Sequence, residues 1–152
     1  MGPEFSAAFV GRGLAAPAPA DVFSLDGRLW LHLSAGGVAE NTFVVMSSYG
    51  ALPGDWPADW APLGLAYAVR YPAGQQPPVG VVYLRPDPNQ LAAVLMEKAA
   101  LLGQAEGAAQ WQPLQAEKSA EAGYLAAEWG AGFLGVAWRE PLKKAYMPML
   151  LR

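Results

Sequence analysis

The chain contains no cysteine, and that absence removes disulfides, thiolate nucleophiles and thiolate metal sites together. It leaves the compartment open, because a protein without cysteine suits oxidising and reducing surroundings alike. Histidine is nearly absent too. His32 is the sole imidazole, so a metal centre would have to be built from carboxylates, and no metal or other cofactor is expected. Charge is sparse: charged residues make up 15% of the 152 and the net charge is −3, which offers no attraction to nucleic acid or to an anionic bilayer. No apolar run approaches the roughly eighteen residues of a membrane-spanning helix, so no membrane span is expected. No repeat of solenoid or propeller period is visible, and no Walker pattern or G-x-S-x-G elbow occurs.

What is abundant is apolar. Hydrophobic residues reach 53% of the chain, which argues against disorder and for a soluble, packed fold. A chain this long suits a single domain that buries roughly 68–70% of its unfolded surface without disulfides. The first twenty residues read differently from the rest. Met1–Phe5 resembles a vector-derived scar, and Leu14–Ala20 is a small-residue and proline linker. Residues 1–20 are therefore set apart as scar and flexible linker, and 21–152 as one globular domain. Such a linker fits an extracytoplasmic, secreted protein and a cytoplasmic one equally well.

Period-two alternation dominates the body of the chain. Leu29, Leu31 and Leu33 face one way while Arg28, Trp30 and His32 face the other, and Asp26-Gly27 before them is a strong hairpin signal. Thr42–Tyr49 carries apolar groups on both faces, as expected of a central strand. Leu65, Tyr67, Val69 and Tyr71 alternate with small residues and Arg70, and Val79–Leu84 resumes the strand pattern after a proline-rich loop, which reads as a long-tipped hairpin. A helix over about 88–102 follows. Asp87 is its cap, Pro88 its first residue, Gln90 completes a capping box, and Leu91, Val94, Leu95, Ala99 and Leu102 form its apolar stripe before Gly103. Gln110–Lys118 reads as an edge strand, and Tyr124–Trp129 with Phe133–Arg139 as a hairpin turning at Gly130-Ala131-Gly132. The sum is an α+β domain: an antiparallel sheet of six to seven strands with one clear helix packed on it. A β-sandwich with an inserted helix is the alternative.

Functional signals are few. A Ser-His-acid arrangement would need His32 with Ser47 or Ser48, and neither serine lies in a nucleophile elbow. A strand histidine beside Trp30 is the simpler reading. Carboxylates are more plentiful, and Asp55 and Asp59, four residues apart, suit either a cation or split acid and base roles, although Asp beside Pro57 also caps turns. Trp56 and Trp60 accompany them in a proline-rich loop, where two indoles form a platform for a protein or carbohydrate ligand, or else plug the core. The leading expectation is a non-catalytic binding or assembly domain that contacts a partner through this aromatic loop at Asp55, Trp56, Asp59 and Trp60. A small hydrolase using an Asp/Glu pair is the rival from another class, and a purely structural module of a larger assembly is the third.

Overall fold

A computed structural model describes residues 9–49, 57, 59–86, 98–119 and 123–139. In chain order the strands are β1 (Phe9–Leu14), β2 (Ala20–Phe23), β3 (Leu29–Leu33), β4 (Thr42–Tyr49), β5 (Trp60–Pro62), β6 (Ala66–Arg70), β7 (Gly80–Leu84), β8 (Ala99–Ala105), β9 (Gln112–Pro113), β10 (Glu117–Ser119), β11 (Tyr124–Trp129) and β12 (Gly132–Arg139). They form two sheets. One has seven strands in the order β1-β4-β6-β12-β8-β9, with β5 also paired to β12, and the other has five in the order β10-β11-β7-β3-β2. Every pairing is antiparallel. The short β9 and β10 fall within or beside the expected edge strand, and each lies at the end of its sheet.

The α+β reading is corrected by this architecture. Among the described residues 56% lie in strands and 1% in helix, which fits the β-sandwich alternative. Residues 87–97, which hold most of the expected helix and its cap, lie outside the described residues. Its C-terminal part is strand: Ala99 to Leu102 belong to β8, paired in register with Trp138 to Gly135 of β12. Ala99 and Leu102 recur at helical spacing, but Leu101 and Leu102 are both fully buried, one in the main core and the other on the far side of the sheet. A strand covered on both faces reads as a continuous apolar run, and periodicity then fails to separate strand from helix.

Two expected hairpins are also corrected. β6 and β7 lie in different sheets, and so do β11 and β12. The Pro72–Pro78 loop and the Gly130-Ala131-Gly132 turn therefore carry the chain across the sandwich. Gly132 shows why the second crossing needs glycine: its φ is +131°, and a Cβ there would stand 2.3 Å from the Gln104 carbonyl oxygen. The Asp26-Gly27 hairpin, by contrast, is present, joining β2 to β3. Within it, Asp26 accepts hydrogen bonds from Ser24 Oγ at 2.6 Å and from the Arg28 amide at 3.0 Å.

The core lies between the sheets. Leu29, Leu31, Leu33, Val82, Leu84 and Leu125 from the five-stranded sheet meet Val44, Met46, Tyr67, Val69, Leu101 and Leu134 from the other in one cluster. Losing any of these leucines to alanine costs about 2–5 kcal/mol. A smaller cluster of Ala66, Leu102, Trp111 and Ala137 covers part of the outer face of the seven-stranded sheet. One polar link crosses the core at its end: the Tyr67 hydroxyl donates to Asp26 Oδ2 at 2.5 Å. Partial burial alone would raise the Asp26 pKa, but the hydrogen bonds from Ser24, Tyr67 and Arg28, with the Arg28 charge, outweigh it and hold the carboxyl below its usual range. The same burial and the Asp26 charge push Tyr67 up.

The two turn glycines make a direct check of the crossing. Gly132→Ala should lower the urea midpoint markedly, by the equivalent of about 1–3 kcal/mol or more, because backbone has to move. Gly130→Ala should be close to neutral, since the nearest atom to its Cβ would be Pro77 Cβ at 3.9 Å. Equal midpoints for the two variants would contradict the described path of the turn.

Candidate functional site

The strand period that buries the leucines also decides what the five-stranded sheet shows to solvent. Side chains alternate across a strand, so the inward Leu29, Leu31 and Leu33 leave Arg28, Trp30 and His32 on the outer face, and the register aligns these with residues of the neighbouring strands. Asp21 pairs with His32, His32 with Val81, and Val81 with Glu128, which makes one cross-strand row. Phe23, Trp30, Tyr83 and Ala126 make the next. Beyond them Arg28 and Arg85, joined by the Arg85 amide donating to the Arg28 carbonyl at 2.9 Å, lead to Tyr124. The outer face is thus banded: carboxylates at one end, aromatics in the middle, guanidiniums at the other end.

The aromatic row is a stack. Phe23 and Trp30 lie 5.5 Å apart with their planes 15° from parallel, Trp30 and Tyr83 lie 4.4 Å apart at 24°, and Tyr124 meets Tyr83 edge-on at 5.2 Å. These are the favoured geometries of aromatic pairs, each contributing about 0.5–1.5 kcal/mol beyond burial. The rings stand on the sheet like cards, spending their faces on one another and leaving edges outward. Phe23, at the open end of the stack, is 49% exposed. A hollow of about 110 Å³ lies over the row, lined by Phe23, Arg28, Trp30, Tyr83, Arg85 and Tyr124. A larger cleft of about 520 Å³ opens between the sheets on the other side of Arg28 and Arg85, against Leu63, Leu65, Tyr67 and Val136.

Asp21 organises the acidic row. Its Oδ1 accepts the Trp30 indole N–H at 3.0 Å and lies 2.6 Å from His32 Nδ1, while Arg12 of β1 donates to its backbone carbonyl. The hydrogen bond to His32 is the largest cause of a carboxyl pKa held below 3.8, followed by the bond from Trp30; slight desolvation opposes them, and the charges of His32 and Arg12 reinforce them. An ionised carboxylate only accepts, so the proton of this bond sits on His32 Nδ1. The pair has the form of an acid-histidine dyad, and among the described residues the next ones along its row are Val81 and Glu128, neither of them a hydroxyl nucleophile. Ser47 and Ser48 are on β4 of the other sheet. Among the described residues no group of three or more potential ligands is placed to hold a metal ion, and no helix is long and apolar enough to cross a membrane.

Of the aromatic-loop residues, Asp55 and Trp56 lie outside the described residues. Asp59 and Trp60 are brought together around Arg139, whose guanidinium donates to Asp59 Oδ2 at 3.0 Å and stands 5.2 Å from the centroid of the Trp60 ring. Trp60, in β5, packs half-buried against the outer cluster of the seven-stranded sheet. His32 is half-buried beside Trp30, as its strand position implies. The sequence places Arg28, Trp30 and His32 on one side of a strand but does not reveal the banded face, because it does not say which strands flank β3, and its pattern reads the true partner β7 as a hairpin with β6. No protein-family model matches the chain, and no curated protein or solved structure is significantly similar to it.

A carboxyl titration followed by carbon-13 NMR checks the Asp21 arrangement. Asp21 should titrate below 3.8, and its midpoint should rise toward 3.8 in His32→Ala. Because the folded pKa is depressed, the stability Asp21 contributes is present above its unfolded pKa and is lost as pH falls through the folded value. An unchanged midpoint in His32→Ala would show that the imidazole is not its partner.

Proposed function

We propose that this chain is a non-catalytic binding or assembly domain that docks a protein partner against the outer face of its five-stranded sheet. The observation that carries the reading is the banded arrangement itself: a half-buried aromatic row, open at Phe23, flanked on one side by Asp21 and Glu128 and on the other by Arg28 and Arg85. Aromatic residues and arginine are enriched where protein surfaces meet, and opposite charges on the two sides of an apolar strip set the orientation of a partner. A protein surface suits the row better than a sugar, which stacks on the open face of a ring; here Trp30 and Tyr83 offer edges because their faces are taken by each other and by Phe23. The face is preferred to the loop around Trp60, whose ring is already covered by the Arg139 guanidinium.

Site-specific photo-crosslinking in cells that make the full chain tests this reading. With p-benzoylphenylalanine in place of Phe23, discrete protein adducts are expected on irradiation. Phe43, 60% exposed on the other sheet, is the matched control position and should yield fewer. Adducts no more abundant from position 23 than from position 43 would count against docking on this face.

A further inference from the structure

Assuming that the banded face is a docking surface, we infer that its partner is a second copy of this chain, related by a two-fold axis that runs along the aromatic row. The pattern is self-complementary about that axis and no other in the plane of the face. Rotation about the row lays Phe23, Trp30 and Tyr83 over their own counterparts and exchanges the two outer rows, so the end carrying Asp21 and Glu128 meets the end carrying Arg28 and Arg85. Rotation about the strand direction instead sets each charged row against itself. An isologous contact requires this kind of self-matching surface.

The charges survive a count of their neighbours. Arg12 reaches the Asp21 carbonyl from β1, and the Asp26 carboxylate turns toward Tyr67. With His32, 2.6 Å from Asp21, counted as neutral, setting Arg12 against Asp21 and Asp26 against one guanidinium leaves one net negative charge at one end, that of Glu128, and one net positive charge at the other. Glu128 and Arg85 are both exposed, and among the described residues neither forms an ion pair. They stand on adjacent strands, β11 and β7, roughly 4.8 Å apart across the sheet; upright rings meeting edge to edge hold the two sheets further apart than the usual spacing of about 10 Å, a gap that two side chains as long as Glu and Arg still span. Glu117 at the end of the aromatic row, opposite Ala126, would meet its own counterpart. It sits on the edge strand β10, where solvent screens the repulsion.

Size sets the strength. Five strands at about 4.8 Å by three rows at about 6.8 Å give roughly 500 Å² per copy with side-chain margins, or about 1,000 Å² in all, the lower limit for a specific interface. The association is therefore weak and depends on concentration.

Sedimentation velocity of the purified full chain, from about 10 µM to about 500 µM, reads this out. The parent should move from monomer toward dimer across the range. Arg85→Glu alone and Glu128→Arg alone should each stay monomeric, because each puts like charges opposite one another, while their melting temperatures stay near that of the parent. Mixed in equal amounts, the two variants should recover the dimer, since both contacts are then between opposite charges. A parent that remains monomeric, a dimer that neither variant weakens, or a mixture that fails to recover would each overturn the inference. If the parent is monomeric while position 23 still crosslinks to a different protein, self-association falls and the docking reading stands.

Discussion

The alternation of the β-strand is the constraint from which the rest follows. Once Leu29, Leu31 and Leu33 are committed to the core, Arg28, Trp30 and His32 have to face outward, and the antiparallel register with β2 and β7 extends each into a row. Core and surface are not separate designs here. A one-residue slip of β3 would put Trp30 and His32 into the core and three leucines into water, a cost of many kcal/mol at about 1.5–3 kcal/mol per leucine. The register is accordingly firm, and the banded face is as fixed as the core that lies beneath it.

The two sheets reach that register by crossing from one to the other. The loop at Pro72–Pro78 and the turn at Gly130-Ala131-Gly132 both carry the chain between layers, and the Tyr67 hydroxyl meeting Asp26 holds the hairpin end of one sheet to the other. That link lies beside Arg28, which also donates to the Pro86 carbonyl at 3.1 Å. The guanidinium end of the face is thus braced from the core side, while Asp21, bonded to Trp30 and His32, braces the acidic end from the surface.

Much of this was legible residue by residue and little of it pair by pair. The strands at 29–33, 42–49, 66–70, 80–84, 124–129 and 132–139 announce themselves by alternation and by β-branched and aromatic content. Partners do not. Sequence neighbours pair often enough that β6 with β7 and β11 with β12 read as hairpins, and only the Asp26-Gly27 turn was short and specific enough to determine a pairing correctly. The first four residues of β8, Ala99 to Leu102, read as the end of a helix because apolar residues on both faces of the strand erase the period. The functional surface suffered for the same reason. Trp60 and Asp59 were visible as a local cluster, whereas Asp21, Trp30, Tyr83 and Glu128 come from four strands and become a site only when the sheet order is known.

Whether the banded face closes against a second copy is read directly from the indole N–H signals in nitrogen-15 NMR spectra recorded with a soluble paramagnetic probe, at low and at high protein concentration. The Trp30 indole, bonded to Asp21 on the outer face, should be broadened by the probe in dilute solution and protected as concentration rises. Trp129, buried between the sheets, should show the same response throughout. Broadening of Trp30 that is identical at both concentrations would contradict the account, because the face would then remain open when copies of the chain are crowded together.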